Sequence, residues 1–359
     1  MRPITVSPSE FSQFGTPAEE FFLITEEASA AMFRLRPEQD RKGTLLTLPA
    51  GADLAGLIDA RVPDGADVVA VCPGRFLASP SSESLGRRKL LVLPAGSTPL
   101  EPAHVGYFVE AAAAGDAEAQ GKVADEFFQA LEEAERVTIV NAEHTAVATV
   151  DAGHESAVWN QQAGVLEPGE QQIVPAGELS MLPADITDFD PTLRLPVSGR
   201  LIVLGWPIVH RSADASTAAE QAGLFTALSG LALAPLGLDV VDGVIEAHHA
   251  LAPGAAAAAD ALDGLFSSDP RYRVLWELGF GINPDFEVLP ANCGPNEVYG
   301  GRHGAVHLGV GLTPFTRFAL TFACLNSAVV GANGHTVLGR PSTAGRKLRR
   351  LRSSSCGCH

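Results

Sequence analysis

The sequence predicts an α/β protein: an N-terminal doubly wound α/β domain followed by a C-terminal mixed α+β, strand-rich domain. Three observations carry this expectation. Short apolar runs alternate with helical patterns up to about residue 135, as in a parallel sheet with crossover helices. From about residue 136, β-rich runs separated by Gly, Pro and Asp-Gly turns dominate. The chain has 359 residues, 46% hydrophobic and 19% charged, which is a globular composition long enough for two cores. The division expected is 1–135, 136–345 and a tail at 346–359.

Taken in order, Thr16-Pro17-Ala18-Glu19 has the form of a helix start, with a capping Thr, a Pro in the first turn and a Glu to close the box. Phe21, Phe22, Ile24, Ala28 and Phe33 follow at roughly helical spacing. The stretches 44–48, 68–71 and 90–93 are expected as short buried strands, and 104–135 as one helix with an acidic outer face. Strands are expected at 137–140 and 146–150. Asp242-Gly243 between 238–241 and 244–247 is a hairpin signal, because Asp-Gly suits the turn that matches strand twist. Asn333-Gly334 gives the same signal, and 255–266 is an Ala-rich helix.

Charge and cysteine usage narrow the classes. A formal net charge of -17 repels nucleic acid and anionic membrane, so neither is an expected partner. The first residues lack an apolar signal core. The longest apolar stretch, 224–241, contains Pro235 and two Gly, and is expected as a buried helix running into a strand. Five cysteines, three of them scattered (Cys72, Cys293, Cys324), suit a reducing cytoplasm without disulfides. The tail carries Arg346, Lys347, Arg349, Arg350 and Arg352 and then Cys356-Gly357-Cys358-His359, a solvated terminus or a basic, soft-metal-binding arm.

Three segments of the second domain hold the candidate chemistry: Val174-Pro175-Ala176-Gly177-Glu178-Leu179, Trp276-Glu277-Leu278-Gly279-Phe280-Gly281-Ile282-Asn283-Pro284, and Gly301-Arg302-His303-Gly304-Ala305-Val306-His307-Leu308-Gly309-Val310-Gly311. Each puts a metal-ligating side chain at a strand end beside glycines, where backbone and ligand approach closely. Two carboxylates and an imidazole suit zinc, cobalt, manganese or iron. Each residue also has a plainer reading. Glu178 follows a turn, alternation puts Glu277 on the face away from Trp276 and Leu278, usually solvated, and His307 is a common kind of structural histidine. Asn283, Arg302, His303, Arg317 and His335 are the further cleft candidates.

The order and wording of these segments resemble the aminopeptidase T/aminopeptidase S family of dinuclear metallopeptidases and the related 2,5-dihydroxypyridine dioxygenases. The resemblance implies an N-terminal α/β domain, a C-terminal mixed domain and a homodimer enclosing a cavity. It also implies that Glu178 and His307 are ligands and that Glu277 bridges two ions. The family's later His-x-Asp pair is missing: residues 316–324 hold neither His nor Asp, and Pro314 stands where the peptidases have a tyrosine. Two dications need more donors than the three that remain.

The reading drawn from this is a catalytically degenerate relative with no tightly bound metal, binding a peptide or small molecule, for example a precursor peptide in a biosynthetic pathway. The alternative is a single-metal hydrolase or an iron-dependent ring-cleaving enzyme holding one Zn, Mn, Co or Fe ion on Glu178, Glu277 and His307. Without an ion, two buried carboxylates would repel, so that one is protonated or Arg302 or Arg317 compensates. His248-His249, adjacent on a strand, point to opposite faces and are expected to be structural.

Overall fold

The computed structural model describes residues 3–134, 136–184, 194–313 and 315–339. The tail, Glu135 and Pro314 lie outside these. The N-terminal part contains β1 (Ile4–Val6), β2 (Glu20–Glu26), β3 (Phe33–Leu35), β4 (Lys42–Leu48), β5 (Asp67–Val71) and β6 (Lys89–Leu93), with helices α1 (Leu54–Arg61), α2 (Ser82–Leu85), α3 (Pro102–Ala114) and α4 (Ala117–Ala134). The rest contains β7 (Arg136–Asn141), β8 (Ala146–Asp151), β9 (Ala157–Gln162), β10 (Gln171–Ile173), β11 (Glu178–Pro183), β12 (Val197–Val203) and β13 (Ile208–Arg211). These are followed by α5 (Ala218–Leu228), β14 (Leu236–Val241), β15 (Val244–Ala250), α6 (Ala256–Ser268), β16 (Leu275–Gly281), β17 (Ala305–Val310), β18 (Phe318–Cys324), β19 (Ala328–Gly331) and β20 (Thr336–Leu338).

A five-stranded parallel sheet runs β10-β6-β5-β2-β4. Its side chains alternate between two cores. Phe21, Leu23, Val69, Val71, Leu91 and Leu93 meet α3 through Val105 and Phe108. Phe22, Ile24, Val68, Ala70 and Leu90 meet α1 through Leu54 and Ile58. Burial on both faces is the mark of a doubly wound sheet. It also explains why the expected helix at 16–33 is instead β2, a 3₁₀ turn and β3. Phe21 to Ile24 is a continuous apolar run because both faces of its strand are covered, and its spacing imitates a helix. The fifth strand, β10, comes from residues 171–173 and joins the sheet beside β6.

Two other expectations need correction. The single helix at 104–135 is two helices. At Gly115-Asp116 the chain turns, Asp116 Oδ1 accepts the Ala119 N–H at 3.0 Å, and Ser12 Oγ accepts the Ala117 N–H at 2.9 Å, which together cap α4. The strand at 44–48 exists but pairs only with β2, at the sheet edge, with Thr44 and Leu46 half-buried and Leu45 exposed. The 224–241 stretch does run from a helix, α5, into β14.

Two antiparallel sheets build the remainder, one of order β13-β18-β17-β16-β11-β9 and one of order β15-β14-β12-β8-β7-β19-β20. A single core takes residues from both, with Phe127 and Leu131 of α4 and Leu262 and Phe266 of α6. The hairpin β14–β15 turns at Asp242 and Gly243, with φ of 45° and 73°, both in the left-handed region that a tight two-residue turn needs. Asn333-Gly334 lies in the longer connection from β19 to β20. No helix of the described residues is long and apolar enough to cross a membrane.

Candidate metal centre

The six-stranded sheet has two unlike faces. Leu179, Met181, Leu278, Phe280, Val306, Leu308, Leu320 and Phe322 point into the core. Strand alternation sends the intervening residues to the other face, and the register aligns them across strands. Glu178 pairs with Gly281, His307 with Gly279 and Glu277 with Gly309. A bulge at Trp276 sets Glu277 into this row. Each acidic or imidazole side chain thus lies across from a glycine. At Gly279 a Cβ would stand 1.9 Å from His307 Nε2, and at Gly309 it would stand 2.9 Å from Glu277 Cβ. The glycines make the room in which the three side chains converge.

Convergence is close. One ligand atom from each of Glu178, Glu277 and His307 lies within 4.8 Å of the others. His307 Nε2 is 3.2 Å from Glu178 Oε1, with side chains 5% and 10% exposed. Glu178 begins β11, whereas Glu277 and His307 stand inside β16 and β17 rather than at strand ends. Nor is the face solvated: burial is the largest cause that pushes the Glu178 carboxyl up to about 8, with the Glu297 charge adding and a hydrogen bond with Glu277 opposing. Glu277 is also raised, by burial first and then by the Glu178 and Glu297 charges, while His307 works against the shift. Burial and mutual repulsion thus both favour a proton on the carboxylate pair, and Glu178 shares a hydrogen bond with His307. Arg317 is exposed and pairs with Glu220 at 2.5 Å, and Arg302 is exposed.

A cavity of about 570 Å³ opens beside His307, walled by Trp206, Phe286, Tyr299 and Thr321 and reached by Arg302. His303 is exposed on a neighbouring depression. Asn283 is buried and structural: its Nδ2 donates to Ala176 O at 2.8 Å and its Oδ1 accepts the Asp285 N–H at 3.1 Å, holding the segment before Glu178 against the end of β16. His335 is exposed in the β19–β20 connection. His248 bonds Ala259 O and His249 bonds Asp239, on different sides of β15, as their adjacency requires.

The structure adds residues that the sequence reasoning missed. Glu297 lines the same cavity as His307, and its Oε1 accepts from Thr321 Oγ1 at 2.7 Å and meets His210 Nε2 at 3.1 Å. Burial opposes its ionisation, but the His210 hydrogen bond, the charges of His210 and His307 and the Thr321 bond together hold it below its ordinary value. On β18 the positions opposite Gly309 and His307 are Thr321 and Ala323, so this strand presents neither His nor Asp to the centre. A weak signal for His210 was available, since alternation along Ile208–Arg211 puts it opposite Val209. Glu297, in an irregular turn, had none.

The donor set suits one divalent ion: two carboxylate oxygens and an imidazole nitrogen, Glu178 and His307 buried and Glu277 half-buried, with an adjoining cavity beside His307. No model of a known protein family matches the chain, and no curated protein matches it. Among solved structures, the 2,5-dihydroxypyridine dioxygenase of Pseudomonas putida KT2440 superimposes with a TM-score of 0.52 over 88% of this chain and 89% of that one, at 14% identity. That likeness is one of fold: a mixed α/β chain of similar extent.

Proposed function

We propose that the protein is a metal-dependent enzyme that holds one divalent ion on Glu178, Glu277 and His307 and acts on a small, anionic, ring-bearing molecule. The convergence of these three donors, two of them buried, beside a cavity carries the reading. Bound there, the ion would supply Lewis-acid or redox chemistry. The chain's own residues do the rest. Trp206, Phe286 and Tyr299 give the cavity an aromatic wall suited to a flat ring. Arg302, exposed at the cavity, supplies a cation for a carboxylate or phenolate. Glu297, pinned by His210 and Thr321, keeps a negative charge near the carboxylate pair and so strengthens cation binding.

An aromatic-walled cavity of this size favours the ring-directed alternative over a groove for an extended peptide. The fold shared with a 2,5-dihydroxypyridine dioxygenase supports an iron-dependent, oxygen-consuming reaction over hydrolysis. Elemental analysis of protein purified without chelator should find about one ion per chain, and Glu178→Gln and His307→Ala should each remove it. Iron-loaded protein should consume oxygen with 2,5-dihydroxypyridine as probe. Turnover of leucine p-nitroanilide instead would assign a hydrolase, and metal content unaffected by either substitution would sink the reading.

A further inference from the structure

A second constellation lies on the other side of His210. Ser97 Oγ is 2.9 Å from His210 Nδ1, and His210 Nε2 is 3.1 Å from Glu297 Oε1. The chain of bonds is directional. An ionised Glu297 takes the Nε2–H, which leaves Nδ1 with its lone pair toward the serine hydroxyl. Nucleophile, base and orienting carboxylate are then linked in series, as nucleophilic catalysis requires, with the two imidazole nitrogens exchanged relative to the serine-protease triad.

The serine is held in place from two directions. Its carbonyl accepts the Arg211 N–H at 3.1 Å and Gln221 Nε2 at 2.7 Å. Gln221 is itself buried and donates a second bond to Val209 O, so Ser97 is fixed to the strand that carries His210. Beyond β6, Ser97 lines a cavity of about 500 Å³ bounded by Arg75, Phe76, Leu93, Gln162 and Gln172. This cavity lies past the carboxyl ends of β5 and β6, where open parallel sheets bind their ligands. Its arginine is engaged with the carbonyls of Pro49 and Ala52, and the other polar groups named are neutral amides. His210 is the one hydrogen-bond partner of Ser97 Oγ among the described residues.

We infer that Ser97, His210 and Glu297 form a serine-nucleophile site, adjoining the metal centre at Glu297 but needing no ion, that accepts uncharged acyl esters or amides in this cavity. Ser97 Oγ would form a bond to the acyl carbon while its proton passes to His210 Nδ1. The bond from acyl carbon to leaving group breaks, and His210 returns that proton to the departing alcohol or amine. Water, deprotonated by the same nitrogen, then cleaves the acyl-serine and restores the hydroxyl.

The test uses the full chain and an alkyl fluorophosphonate, whose phosphorus Ser97 would bond as fluoride leaves. Peptide mapping by mass spectrometry should find one adduct, on Ser97, formed equally with and without chelator. His210→Gln should slow its formation by roughly 100-fold, the scale of a lost general base. As a control on folding, Ser97→Cys should be alkylated by iodoacetamide at pH 6.5 faster than Ser97→Cys/His210→Gln, because an imidazole partner favours thiolate. Labelling elsewhere, no labelling, or a rate indifferent to His210 in both formats would overturn the inference. Loss of the adduct on chelation would show that Ser97 belongs to the metal centre and equally overturn it.

Discussion

Gly279 bears more on the candidate centre than its lack of a side chain suggests. It lies on β16 directly opposite His307 of β17, and a Cβ there would stand 1.9 Å from the imidazole Nε2. Gly279→Ala is therefore expected to turn His307 out of the cluster. The cost should be about 1–3 kcal/mol, as for overpacking a filled core, with loss of the bound ion. Metal analysis beside a denaturant melt checks both, and a variant that keeps its ion would show that His307 is not a ligand. The glycines are visible in the sequence as neighbours of Glu178, Glu277 and His307. Their cross-strand pairing is not, because register is set by strands far apart in the chain: Glu178 and Gly281 meet across about a hundred residues. The same separation hides Glu297 and His210, single residues from segments that carry no motif.

At the scale of elements, the legible parts are those whose pattern is local. The Asp242-Gly243 hairpin, strands β4, β5 and β6 of the parallel sheet and the Ala-rich α6 follow from turn chemistry and apolar runs within a dozen residues, whereas β10 carries no such run and is placed only by its pairing with β6. The segment at 16–33 reads wrongly as a helix because a strand covered on both faces loses its alternation, and only the tertiary cores on either side reveal it. The break between α3 and α4 is masked because Gly115-Asp116 interrupts a long amphipathic run, although Gly and Asp are the common helix stop and start. α6 permits a direct test of local propensity. Gly264 lies inside it, and a methyl group added there would meet nothing within 4 Å. Gly264→Ala should stabilise the protein by about 0.4–1 kcal/mol by restricting the unfolded chain, seen as a raised melting temperature. In β5 the opposite holds. Asp67 is buried against Arg41, and its Oδ2 also accepts the Ala18 N–H at 2.9 Å. Asp67→Asn leaves a buried guanidinium without its charge partner and should cost about 3–5 kcal/mol. A loss below about 1 kcal/mol in urea melts, the scale of a surface pair, would show that the pair is not a structural tie.

Over the whole molecule, the three described cysteines make the fold sensitive to alkali. Cys72, Cys293 and Cys324 are buried, one in each of three places: the α1 side of the parallel sheet, its α3 side, and the core shared by the antiparallel sheets. Burial pushes each thiol up to about 12, helped at Cys72 by Glu26 and at Cys293 by Glu101. In the unfolded chain the same thiols ionise near about 8.5. Below that pH both states hold the proton and the fold keeps its full stability. Above it the unfolded state releases protons that the folded state retains, so stability falls as pH rises from about 8.5 through the folded value of about 12. The loss should be on the order of 1–2 kcal/mol per thiol by pH 10. Urea melts across pH 8 to 10.5 would measure the slope. The triple variant Cys72→Ala/Cys293→Ala/Cys324→Ala should start from lower stability, because it leaves cavities, but show a flatter slope. Parallel slopes in the two proteins would mean that other groups drive the alkaline loss. Iodoacetamide supplies an independent check: in the native protein at pH 8 these three should resist alkylation, since the reagent needs thiolate and access and the fold withholds both.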